Sequence, residues 1–239
     1  MAIRLLPLRA SLTRGAEPLT GIQCVLFDLD GTLLNTNDLI IKSFQHTLSK
    51  HLSLEVTEQD LYPYFGEPLR VTLERFGPEL AEEMLRSYRE FNNIHHDQLT
   101  TIFPGAVETL EELSRRGVRL GVVTSKITQT AIRGLELFGI RKYFDVVVGL
   151  EMTDKHKPDP EPILKALEIL DLPPSAALMV GDSPFDILCA RNAGVKSAAV
   201  AWSVHSKEKL MEERPDCYVE SFGDVVRICS GEARSTKHG

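Results

Sequence analysis

Val25-Leu26-Phe27-Asp28-Leu29-Asp30-Gly31-Thr32 decides the fold. A short apolar run followed at once by two carboxylates puts acidic side chains where a buried strand ends. Open parallel sheets bind their ligands at the carboxyl ends of their strands, so the stretch outlines a reaction centre. Gly31 permits a sharp turn there, and Thr32 adds a hydroxyl and a backbone donor. An aspartate can serve as nucleophile and form an acyl phosphate. A carboxyl two positions on can act as general acid and then as base. Taken alone, the same residues also read as an acidic turn capping the next segment.

Apolar runs at 23–29, 118–123, 145–150, 176–181 and 197–202 alternate with helical patterns from Val107 to Arg116, Ile132 to Phe138 and Pro162 to Leu170. That alternation predicts an α/β fold with a doubly wound parallel sheet. The interval between the first two strands is far longer than one crossover helix needs, so residues 36–103 are expected to form their own unit. Helical spacing in Leu39, Ile40, Phe44 and Leu48, and again in Leu80, Met84, Leu85, Tyr88 and Phe91, predicts a unit that is helical throughout. The core is then expected over 21–35 and 104–230.

Three more polar clusters follow. Leu120-Gly121-Val122-Val123-Thr124-Ser125-Lys126 is a strand ending in two hydroxyls, whose side chains and N–H groups can hold phosphate oxygens. It equally reads as an ordinary strand end, with Ser125, Thr128 or Thr130 capping the next helix. In Lys155-His156-Lys157-Pro158-Asp159-Pro160-Glu161-Pro162 the alternating prolines stiffen a segment carrying Lys157, which becomes a fixed point charge or, more plainly, a solvated loop lysine. The strand from Ala176 to Gly181 ends in Asp182, with Asp186 four residues later. Carboxylate oxygens suit a hard cation such as Mg2+, while either acid also suits a helix N-terminus. Four carboxylates converging on one point repel each other and any phosphate, and one lysine does not offset that, which is an independent reason for a divalent ion.

In this order the four clusters resemble the haloacid dehalogenase superfamily. The resemblance implies Asp28 as nucleophile, Asp30 as acid and base, Thr124 as phosphate ligand and Lys157 as charge clamp. It implies Mg2+ held by Asp28, Asp182 and the backbone carbonyl of Asp30, with Asp186 supporting the site through water or Lys157. The dehalogenases proper lack a carboxylate matching Asp30, so its presence favours phosphoryl transfer over C–halogen cleavage. Residues 36–103 become a small helical cap, hinged near Asn35-Thr36 and near Phe103-Pro104-Gly105, that closes over the substrate.

Within that superfamily, Asn35-Thr36-Asn37, Phe91-Asn92 with His95-His96-Asp97, Ala131-Ile132-Arg133-Gly134-Leu135 and Gly181-Asp182 with Val200-Ala201-Trp202 are similar to the bacterial inorganic pyrophosphatases, over about Cys24 to Ile228. The activity implied is Mg2+-dependent hydrolysis of pyrophosphate through an aspartyl phosphate. The alternatives are a phosphoglycolate or sugar-phosphate phosphatase, or phosphoryl transfer of the β-phosphoglucomutase kind. A pyrophosphatase needs a second anion pocket, for which Lys126 beside Thr124 and Ser125, Arg70, or the pair His95 and His96 are candidates. A catalytically silent binding protein on this fold is disfavoured by the presence together of Asp28, Asp30, Thr124, Lys157 and Asp182.

The 239 residues carry a net charge of −7, which argues against nucleic acid or an anionic membrane as partner. No apolar stretch reaches the length of a membrane span. Cys24, Cys189, Cys217 and Cys229 lack metal or disulfide spacing and are expected reduced in a cytoplasmic protein. Residues 1–20, with Arg4, Arg9 and Arg14 among leucines, are expected to be a disordered extension, and 231–239 a flexible tail. Trp202 is expected to pack rather than to stack on a ligand.

Overall fold

A computed structural model describes residues 21–231, so the expectations for 1–20 and 232–239 lie outside the described residues. The first strand, β1 (Cys24–Phe27), is buried along its whole length and occupies the middle of a six-stranded sheet. Its alternate residues serve two different cores. Val25 and Phe27 join one cluster, and Cys24 and Leu26 join the other on the opposite face, so the strand must be apolar throughout.

After β1 the chain runs through β2 (Leu34–Asn35), the helices α1 (Asn37–Leu52), α2 (Glu58–Leu61), α3 (Leu69–Phe76) and α4 (Ala81–Leu99), and β3 (Thr101–Ile102). β2 and β3 pair antiparallel, Leu34 against Ile102 and Asn35 against Thr101. The four helices enclose their own apolar cluster, including Phe44, Leu48, Leu73, Met84 and Tyr88, in which Phe44 and Tyr88 meet edge to face at 4.9 Å. The expectation that 36–103 is helical throughout is corrected by β3. Two residues of ribbon carry no periodicity to read, and they exist because the exit must pair with the entrance.

The core resumes with α5 (Ala106–Arg115), β4 (Arg119–Val123), α6 (Thr128–Leu137), β5 (Val146–Val148), α7 (Glu161–Leu170), β6 (Ala177–Gly181), α8 (Pro184–Ala193), β7 (Lys196–Val200), α9 (Lys207–Glu212), β8 (Cys217–Val219) and α10 (Phe222–Ser230). All five strand pairings are parallel, in the order β5-β4-β1-β6-β7-β8. Strand order reverses beside β1: β4 lies on one side and β6 on the other, which is where such sheets leave a crevice. The register aligns Phe27 with both Val122 and Val180, so Asp28, Thr124 and Asp182 emerge at one sheet edge. The edge strand β8 falls outside the five expected runs, being only three residues long.

Trp202 packs against Phe222 and Phe103, and its Nε1 donates to the Thr32 carbonyl at 3.1 Å. No helix among the described residues is long and apolar enough to cross a membrane. The four cysteines are free.

Candidate active site

Gly31 explains how the loop after β1 folds over the site. Its φ is +83°, and a Cβ there would sit 2.2 Å from Asp182 Oδ2, so only glycine lets the loop approach this closely. Thr32 Oγ1 donates to Asp182 Oδ1 at 3.2 Å, tying the loop to the end of β6. Gly181 leaves equally little room, because a Cβ would lie 2.3 Å from that of Asp186.

Lys157 is the centre of the charge arrangement. Its Nζ donates to Asp28 Oδ1 at 2.7 Å and to Asp186 Oδ1 at 2.6 Å, and the side chain is 3% exposed. Burial opposes the charge on Lys157, but the carboxylates of Asp186 and Asp28 outweigh it and hold the ammonium above its usual pKa. Asp186 is fixed independently by the capping box of α8, where its Oδ2 accepts from Ser183 N at 3.1 Å and Ser183 Oγ at 2.6 Å. The lysine therefore rests on a helix terminus held by its own capping bonds.

Asp28, Asp182 and Asp186 offer oxygens within 4.8 Å of one another, all buried. Burial, against the pull of Lys157 and with Asp186 adding repulsion, pushes the Asp28 carboxyl up to about 7. Burial and the charges of Asp28 and Asp186 also push Asp182 well above the carboxylate range. Ionised together, these three buried carboxylates would outnumber the one ammonium, which Asp28 and Asp186 share. That donor set, all oxygen and all anionic, fits a hard divalent cation.

Asp30 faces another way. Its Oδ1 accepts from Lys126 Nζ at 2.7 Å and from Thr36 Oγ1 at 2.8 Å. Thr124 Oγ1 accepts from the Lys126 backbone N–H at 3.1 Å, and Ser125 Oγ donates to the Gly66 carbonyl of the helical insert at 3.2 Å. The capping expected of Ser125, Thr128 or Thr130 is absent: Ile127 holds the N-cap position of α6, and the Glu151 carboxylate accepts from Thr128 N.

A cavity of about 1150 Å³ opens between the sheet edge and the insert, lined by Asp28, Asp30, Thr124, Ser125, Lys126 and Asp182 at one end. Arg70, His95 and His96 do not line it. Arg70 pairs with Glu82 on the surface, His95 packs at a tilt against Phe91, and His96 is buried with Nδ1 2.8 Å from Asp97 Oδ1. Sequence reading missed Thr36 as a partner of Asp30, and also Ser203, whose Oγ donates to the Asp182 carbonyl at 2.5 Å. Ser203 left no signal in spacing, standing 21 residues from Asp182, and Thr36 is six residues from Asp30 but nothing in that spacing alone marks the bond.

Residues 25–200 match the family described as haloacid dehalogenase-like hydrolase. This chain belongs to that family. A protein of Caldanaerobacter subterraneus subsp. tengcongensis, provisionally named pyrophosphatase PpaX, is 52% identical over 210 residues, covering 88% of this chain and 96% of the relative. Pyrophosphatase PpaX of Bacillus cereus is 44% identical over 214 residues, covering 90% and 99%. Among solved structures, a predicted phosphoglycolate phosphatase from Haemophilus somnus superposes with a TM-score of 0.78 at 26% identity, over 88% of this chain and 99% of that one. The haloacid dehalogenase-like chain described here is thus an enzyme, a phosphohydrolase, built on a parallel sheet with flanking helices.

Proposed function

We propose that the enzyme hydrolyses inorganic pyrophosphate to two phosphates by way of a phosphoryl group carried on Asp28. The observation that carries this reading is the convergence of Asp28 and Asp30 on one cavity, each carboxylate with its own lysine. An Asp28 oxygen attacks phosphorus, the bond to the bridging oxygen breaks, and Asp30 gives that oxygen a proton. Asp30 then takes a proton from a water that attacks the aspartyl phosphate, the bond from phosphorus to Asp28 breaks, and the carboxylate is restored.

Thr124 and Ser125 hold oxygens of the transferring group, and Lys157 offsets charge on Asp28 and phosphate together. Lys126 meets the leaving phosphate, which takes the place of Asp30 as its partner. Asp28 and Asp182, with the Asp30 carbonyl, would hold Mg2+, and Asp186 keeps Lys157 in position. A bound Mg2+ supplies the positive charge that lets carboxylates and phosphate share one site. The helical insert acts as a cap that excludes bulk water.

Phosphate release tests this: pyrophosphate, phosphoglycolate, sugar phosphates and a chromogenic ester are compared in Mg2+, with Asp28→Asn as control. Pyrophosphate is expected to be turned over fastest, and the variant to be inactive on every substrate. Fastest release from phosphoglycolate would hand the site to that activity, and release by Asp28→Asn would end the account of the nucleophile. Removing Lys126 should weaken pyrophosphate use more than use of the aryl ester.

A further inference from the structure

Seven of the side chains lining the cavity are carboxylates and three are cations, so net charge works against any substrate with an anionic leaving group. Such a leaving group needs more than the one cation at the catalytic end of the cavity, Lys126, which Asp30 holds at 2.7 Å until the leaving phosphate takes its place. Arg133 donates through Nη1 to the Asn93 carbonyl at 3.1 Å and to Asn93 Oδ1 at 2.6 Å, and its Nε meets Asp97 Oδ1 at 2.9 Å, so it fastens α6 to α4.

The third cation is Arg89 of α4, which has no hydrogen bond or ion pair among the described residues. Glu82 feels its charge, but the Glu82 carboxylate is bonded to Arg70. Arg89 is exposed and is one of the residues lining the cavity, on the helix face that also presents Tyr88, Asn92 and Asn93. Asn92 is held by Ser43 at 3.2 Å and Tyr88 by its packing on Phe44, so α4 is anchored to α1 beside Arg89.

We propose that Arg89 is the specificity-determining residue of the insert, recognising a second negative charge on the leaving group. This rests on the phosphohydrolase reading of the cavity but not on pyrophosphate itself. The substrate class is a phosphate whose leaving group is itself anionic, a phosphate or a carboxylate. A planar guanidinium matches both bidentately, which an ammonium does not.

The test compares kcat/KM for pyrophosphate with that for phenyl phosphate, whose leaving group carries no second charge before cleavage, in Mg2+. In Arg89→Met, which keeps an apolar stem, the ratio of the two is expected to fall at least tenfold, through KM for pyrophosphate. The salt dependence of kcat/KM for pyrophosphate should flatten in the same variant, and Arg89→Lys should restore the salt slope and part of the ratio. A ratio within twofold of the parent, or an unchanged salt slope, overturns the proposal. If the parent enzyme releases nothing from pyrophosphate, the pyrophosphate reading falls, and phosphoglycolate then takes its place against phenyl phosphate. An unchanged ratio there overturns the role of Arg89.

Discussion

Gly31 and Lys157 show how much a single residue decides here. With φ at +83° and Asp182 Oδ2 only 2.2 Å from where a Cβ would stand, Gly31→Ala must push the loop or the carboxylate aside. Either displacement moves Asp182 relative to Asp28, so activity is expected to fall at least a hundredfold while circular dichroism stays that of the parent; wild-type turnover would show that the loop yields harmlessly. Lys157 answers to two buried carboxylates, and Lys157→Met leaves both without their ammonium. A loss of about 3–5 kcal/mol in unfolding free energy is expected by denaturant titration, the cost of stranding buried charge, and a loss below about 1 kcal/mol would contradict it. These residues were legible because the chemistry limits the choice: acids after an apolar run, a glycine where the chain turns, a lysine just before a run of alternating prolines. The pairing of Lys126 with Asp30 was not, because the two stand far apart in the chain and nothing local requires them to meet.

Helix α4 carries its own record of which face is buried. Met84, Tyr88, Asn92 and His96 recur every four residues, and all four are buried. The spacing shows Met84 and Tyr88 as core, and of the two polar members only His96 is a candidate anion ligand by sequence, a role its burial on the same face goes against. His96 lies against α6 at Gly134, where a Cβ would make ordinary contact with His96 Nε2 at 3.6 Å, and the crowding there comes from Leu34, whose Cδ1 would stand 2.8 Å away. Burial lowers the pKa of His96, the Asp97 bond partly opposes this, and Lys126 and Arg133 add to it. The folded state therefore binds the proton less readily than the unfolded chain does. Its contribution to stability is complete above about pH 6.5 and is lost as pH falls below that value. The melting midpoint is expected to drop between pH 7.5 and 5.5, and to drop less in His96→Asn; parallel curves for the two proteins would remove His96 as a cause. Short elements escaped the sequence for a different reason. β2, β3 and β8 are two or three residues long, below the length at which alternation can be read, and each is fixed by the strand it pairs with.

On the scale of the whole molecule, the site exists only when the chain is folded. The end of β1 supplies Asp28, the loop before α7 supplies Lys157, and the end of β6 with α8 supplies Asp182 and Asp186. Parallel pairing on both sides of β1 brings them to one edge, and the alternation of strand and helix made that pairing readable in advance. An unfolded chain holds these carboxylates far apart and offers a divalent ion no common site. An ion that binds the folded state alone stabilises it by RT ln(1 + [L]/Kd), about 2.7 kcal/mol at a hundred times Kd. For a chain of this size that corresponds to a rise of roughly 5–10 °C in the midpoint of thermal unfolding. Melting in EDTA and then in rising Mg2+ is expected to show such an increase that climbs with the logarithm of concentration, with no substrate present and no catalysis required. Asp182→Asn removes one of the three buried carboxylates, which relieves repulsion in the metal-free protein while weakening the ion's hold. That variant is therefore expected to melt no lower than the parent in EDTA and to gain less from Mg2+. A parent midpoint indifferent to Mg2+ would mean that the acidic cluster is balanced by protons alone, and the case for a metal at this sheet edge would be lost.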